Sequence, residues 1–180
     1  MTFTPLPLPE LETDRLLLRG WQPDDFDCVA AIFGDEDNAR YIGGKKEPWQ
    51  AWRHMASLFG HWHLRGYVSF ALVEKESGQT IGLAGPWYPE GWPEPEMGWS
   101  LHPKAHGKGY ATEAAIRCMH YVYDDLGWPT AISLIDGNNN ASKHVAEKLG
   151  ATFESEQTLF DHPAEMWRHL PPEQFRERHS

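Results

Sequence analysis

A chain of 180 residues with 41% hydrophobic and 23% charged side chains is long enough to bury the core of one globular domain. A formal net charge of −10 excludes the basic surface that a general nucleic-acid binder needs and suits a cationic partner instead. No stretch approaches the ~18 apolar residues of a membrane span, and MTFTPLPLPELETDR lacks the basic start and apolar core of a secretion signal, so a cytoplasmic protein is expected.

In chain order, residues 1–10 read as an extended, proline-rich arm, because proline cannot join a central ladder. DRLLLRGW is strand-like. Pro23 opens a helix with Phe26, Val29, Ala30 and Phe33 at helical spacing, stopped by Gly34. Pro48 opens a second helix with Trp49, Trp52, Ala56, Phe59 and His63 along one side and Gly66 as its stop. YVSFALVE and TIGLAGPWY are strands joined by the turn KESGQ, and EPEMGWSL is a third. A long helix follows from about Gly109 to Asp125, with Ala111, Ala115, Cys118 and Val122 on one face. TAISLID is a strand, NNNASKHVAEKLG a capped helix, TFESE and EMWRHL the last two strands, and 171–180 a polar tail. The pattern predicts a single α/β domain over 1–180, with a mixed sheet. Cys28 and Cys118 fall on apolar helix faces, as free buried thiols would.

The stretch LHPKAHGKGYATEAA joins a strand to a helix. Glycines there let a ligand approach the backbone, and the first helical turn offers unpaired N–H groups and the positive end of the dipole. Together these suit a phosphate or pyrophosphate, with His106 and Lys108 able to add charge; the alternative is a glycine turn into an ordinary helix. Position 112 is Thr, which breaks the dinucleotide fingerprint G-x-G-x-x-G, and Lys108 is followed by Gly109, which breaks the P-loop pattern. In NNNASKHVAEKLGATFE, Asn and Ser stand just before a helix, where capping explains one asparagine.

With both elements in one chain and a strand between them, the sequence resembles the GNAT superfamily of acetyl-CoA-dependent N-acetyltransferases. The superfamily's motif Gln/Arg-x-x-Gly-x-Gly/Ala reads His106-Gly107-Lys108-Gly109-Tyr110-Ala111 here, departing at its first position. LETDRLLLRGW, EMGWSLHPKAHGKGYATEA and NNNASKHVAEKLGATFE together resemble the branch that acetylates the N-termini of ribosomal proteins. The resemblance implies a three-layer α-β-α fold in which acetyl-CoA wedges between splayed fourth and fifth strands. Its pantetheine would pair with Trp99 to Leu101, its pyrophosphate would take N–H groups from Gly107 to Ala111, Asn139 would contact pantetheine, and Ser142 would sit near the sulfur.

The reaction so implied is direct transfer of acetyl to an amine, either a protein N-terminus or a small amine. Glu96, on the strand beside the thioester, is the leading candidate for the base, with Glu94 second; a solvated glutamate beside Pro95 is the bland alternative. No tyrosine lies between Asp136 and Gly150, so Ser142 is left to stabilise the leaving thiolate. Trp87, Tyr88 and Trp92 are candidates for the acceptor wall. The histidines at 54, 61, 63, 102 and 106 lack a zinc spacing, so no metal is expected. The competing reading is a non-catalytic acyl-CoA sensor or interaction module on the same fold. The expected state is a monomer or homodimer.

Overall fold

The computed structural model describes residues 7–180; residues 1–6, part of the expected arm, lie outside the described residues. One eight-stranded sheet runs through the molecule in the order β1-β2-β3-β4-β5-β6-β8-β7. Its strands are β1 (Leu11–Glu12), β2 (Leu16–Arg19), β3 (Phe70–Glu74), β4 (Thr80–Trp87), β5 (Glu96–Leu101), β6 (Ile132–Ile135), β7 (Thr152–Leu159) and β8 (His162–Arg168). Neighbours are antiparallel except β5 and β6, which are parallel. The helices are α1 (Phe26–Gly34), α2 (Glu36–Ala39), α3 (Pro48–Arg65), α4 (Tyr110–Asp124), α5 (Asn140–Lys148) and α6 (Pro172–Arg178).

The central strands read as near-continuous apolar runs because both faces are covered. Successive side chains alternate between two cores. Phe70, Leu72 and Ala84 join Leu16, Leu18, Met97 and the inner side of α4, while Ala71 and Leu83 join α1 and α3. A smaller cluster of Ile135, Ala146, Ala151 and Trp167 seats α5. The result is the expected three-layer mixed α/β arrangement. Cys28 and Cys118 are both buried free thiols, and burial pushes Cys28 up to about 12.

Several elements differ from the sequence reading, which had no counterpart for the short β1 and α2. The buried side of α3 is Ala51, Met55, Leu58 and Trp62, whereas Trp49 and Trp52 are 58% and 59% exposed. Both stripes recur at helical spacing, and the buried one is the stripe that packs in one cluster with Val29, Ile32 and Phe33 of α1. The tail from 171 is not simply polar: Pro172 opens α6, Phe175 is fully buried against Tyr123 and His120, and Arg176 pairs with Asp124 at 2.7 Å. Finally, β7 and β8 are longer than TFESE and EMWRHL. They form a hairpin whose last pair is Leu159 with His162, and whose turn is Phe160–Asp161.

Candidate active site

The site begins where the sheet forks. β5 and β6 share one ladder pair, Glu96 with Ile132, and Ile132 donates its N–H to the Pro95 carbonyl at 3.0 Å. A regular parallel ladder would next join the Leu134 N–H to the Met97 carbonyl. Two side chains take up those groups instead. The Leu134 N–H goes to Glu96 Oε1 at 3.1 Å, and the Ser133 hydroxyl donates to the Met97 carbonyl at 2.6 Å. The backbone groups are therefore satisfied while the strands part, which places the fork between the fourth and fifth long strands as the resemblance implied.

Glu96 stands at that fork. Its Oε2 accepts the Trp92 indole N–H at 2.6 Å. Burial pushes its carboxyl up to about 6, although the bonds from Trp92 and Leu134 favour the charged form. Glu94 has a different environment. Both its oxygens accept from Arg168, at 2.5 and 2.8 Å, and that guanidinium holds it below the usual carboxylate range. Arg168 also binds Glu154. Of the two carboxylates, Glu96 is the one able to exchange a proton near neutrality, and Glu94 is committed to a structural ion pair.

A cavity of about 640 Å³ opens from the fork. It brings together Glu96, Trp99, Asn139, Ser142, Trp87 and Trp92 from the residues singled out in the sequence. Asn139 caps α5, its side-chain oxygen accepting the Ser142 N–H at 3.1 Å, so the cap aims the first turn of α5 and the Ser142 side chain at the cavity. Tyr88 does not line this cavity. Its backbone N–H donates to His61 Nε2, and its ring lies under Arg65. His61 is thus neutral, its Nδ1 meeting the Tyr67 carbonyl, and burial with Lys46 nearby pushes His54 down to about 4. Among the described residues, no group of three or more His, Cys, Asp or Glu is placed to hold a metal ion.

Along β5 the cavity lining ends at Ser100, so Leu101 and the loop His106–Ala111 lie beyond it along the same strand-to-helix path. The Leu101 carbonyl accepts from Asn38 at 3.2 Å and lies 3.3 Å from His106 Nε2. Trp99 therefore carries the open part of the β5 edge, and His106 closes the strand end. Gly107 and Gly109 have φ of 74° and 81°, in the left-handed region that glycine tolerates. A Cβ at Gly107 would meet nothing within 4 Å, so the loop is open to approach. Gly109 caps α4, leaving the N–H groups of its first turn without intrahelical acceptors. That donor set fits an anionic phosphate group.

Several residues that shape the site escaped the sequence reading. Arg15 holds the glycine loop from behind: it donates to the Lys108 carbonyl at 2.9 Å, pairs with Glu113 and lies 4.4 Å over the Tyr110 ring. The Tyr110 hydroxyl binds Glu74, so its side chain is structural while its backbone faces the loop. Ser133 and the Trp92–Glu96 bond were also missed. Only the four-residue spacing of Trp92 and Glu96 could have hinted at the latter.

Comparison with known proteins bears on the family and the fold. A family model described as an acetyltransferase (GNAT) domain matches residues 15–152. YkkB of Bacillus subtilis, itself uncharacterized, is 32% identical over 149 residues, 78% of this chain and 84% of YkkB. The crystal structure of an acetyltransferase from Agrobacterium tumefaciens matches with a TM-score of 0.83 at 28% identity, covering 94% of this chain and 97% of that one. RimL, a ribosomal-protein alpha-N acetyltransferase solved in complex with coenzyme A, shares the fold with a TM-score of 0.73 at 14% identity, over 91% of this chain and 98% of its own.

Proposed function

We propose that this chain, which belongs to the GNAT acetyltransferase family and is an acetyl-CoA-dependent acyltransferase, passes the acetyl group directly to a primary amine held in the same cavity. The observation that carries the reading is Glu96: a carboxyl that burial pushes up to about 6, bound by Trp92 and Leu134, in the wall of a cavity that also holds Ser142.

Acetyl-CoA, when bound, supplies an activated acyl carbon and a thiolate leaving group. The chain supplies everything else. The N–H groups from Gly107 to Ala111 would hold the pyrophosphate, and the Trp99 edge and Asn139 would align the pantetheine arm. Glu96, ionised above pH 6, takes the proton that the attacking ammonium must lose. The Ser142 hydroxyl donates a hydrogen bond toward the sulfur. Serine is too weak an acid to protonate a thiolate outright, so its contribution is electrostatic.

The acceptor is a protein N-terminus or a small amine. About a tenth of an α-amino group with pKa near 8 is neutral at pH 7, against fewer than one in a thousand lysine side chains. A base near 6 suits the first better. The test is an amine and peptide panel with acetyl-CoA, following thiol release and identifying the product by mass. Acceptor-dependent release supports the reading. Binding of acetyl-CoA without release for any amine would favour a sensor instead.

A further inference from the structure

The tip of the β7–β8 hairpin is built from an unusual pair. Phe160 and Asp161 have φ of 47° and 67°, the left-handed values that two-residue hairpin turns normally assign to Asn-Gly. A bulky aromatic in that conformation is strained, and hairpin formation alone gives no reason for it. Phe160 is also 62% exposed. Its ring does not stand free, however. It leans across to the β4–β5 loop, with centroids 5.7 Å from Trp92, and it lines the cavity that holds Glu96. From the helical side, Phe33 of α1, Leu58 of α3 and Ile42 in the turn after α2 complete an apolar wall.

Charge in this chamber is scarce. Besides Glu96, the lining carries Arg40, which is paired with Asp37 at 2.7 Å, Asp136, which accepts the Asn138 N–H at 2.8 Å, and His162 at the base of the hairpin turn. His54 packs edge-on to Phe33 at 4.5 Å. An ammonium at Glu96 has aromatic and aliphatic walls beside it, and the second carboxylate, Asp136, lies four residues further along the chain from Ile132, the ladder partner of Glu96. A further charge or a hydroxyl set against the Phe160–Trp92 wall would lose water without finding a partner there.

Resting on the acetyl-transfer reading above, we propose that Phe160 determines acceptor specificity. With Trp92 it covers an apolar subsite beside Glu96, and the acceptor is a primary amine whose neighbouring carbon carries a large apolar group, in preference to a polyamine or a polyhydroxylated amine. The strained tip is then the means of holding an aromatic ring over the cavity mouth.

The test compares kcat/KM for phenylalaninamide, leucinamide, glycinamide and spermidine in the wild type and in Phe160→Asn. Asparagine accepts positive φ, so the variant keeps its turn, and thermal unfolding checks this. The wild type should prefer phenylalaninamide over glycinamide by at least about tenfold, the scale of a filled apolar pocket, with spermidine last. Phe160→Asn should narrow that ratio to within about threefold, chiefly by raising KM for the aromatic acceptor. Equal use of glycinamide or spermidine by the wild type would overturn the proposal, as would a preference that survives in the variant. If these four amines are inert while others are acetylated, the acceptor class is wrong and the transfer reading stands. If no primary amine is acetylated, the transfer reading itself falls.

Discussion

Replacing Glu96 by glutamine keeps the shape and removes the basic oxygen. Burial raises this carboxyl from 4.5 to about 6, a shift worth about 2 kcal/mol between its two protonation states. Two consequences follow with fixed signs. In stability, the folded state binds the proton more tightly than the unfolded one. The wild type's advantage from this group is therefore fully present below pH 4.5 and is lost as pH rises through 6. The difference in unfolding free energy between wild type and Glu96→Gln should change by about 2 kcal/mol across that window, measured by urea denaturation at several pH values. In catalysis, a base at Glu96 would act in its ionised form. The acceptor titrates identically in both proteins, so the ratio of their kcat/KM values isolates the carboxylate. That ratio should be about 10² or more on a plateau above pH 6.5, drop roughly tenfold per pH unit below 6, and shrink again as pH nears the amine's own pKa. A ratio that is small and flat from pH 5 to 8 would refute the role of base and leave Glu96 as an orienting group.

Gly109→Val places a β-branched residue at φ 81°, 3.6 Å from Arg15, and should weaken acetyl-CoA binding at least tenfold by calorimetry; absence of binding by the wild type would remove the cradle altogether. Ser142→Ala should lower kcat more than it weakens acetyl-CoA binding, because the thiolate exists only late in the reaction, and the reverse split would make Ser142 part of the helix cap alone. Phe175→Ala should cost about 3–5 kcal/mol in chemical denaturation, since the ring is fully buried against α4, while a loss below 1 kcal/mol would mean α6 is dispensable.

What could be read in advance was local. The glycine loop declared itself because φ near +80° leaves little choice of residue, and Asn139 with Ser142 because a cap spans three positions. Glu96 was singled out by its place on a strand adjoining the motif. The phase of α3 was not legible, since its tryptophans and its true inner stripe share one period and only the facing surface of α1 decides between them. The extended hairpin was hidden by a Phe-Asp turn with no glycine, and by strand faces that are mostly exposed. The polar composition of 171–180 made α6 look like a tail, although proline at a first helical position is a start signal. Bonds such as Trp92 to Glu96, or Arg15 to the Lys108 carbonyl, join segments whose meeting depends on the whole sheet.

The side chains that stand in for the missing ladder bond tie the enzyme's chemistry to its architecture. Glu96 accepts the N–H that a regular sheet would give to Met97, so the residue that would take the proton also helps decide how far the two strands zip together. A carboxylate moved one position along β5 would project from the opposite face and leave Leu134 free to pair with the neighbouring strand. Position 96 can therefore drift only in company with Ser133 and Trp92. Designers wishing to retune the base would do better to alter those two partners than the glutamate itself.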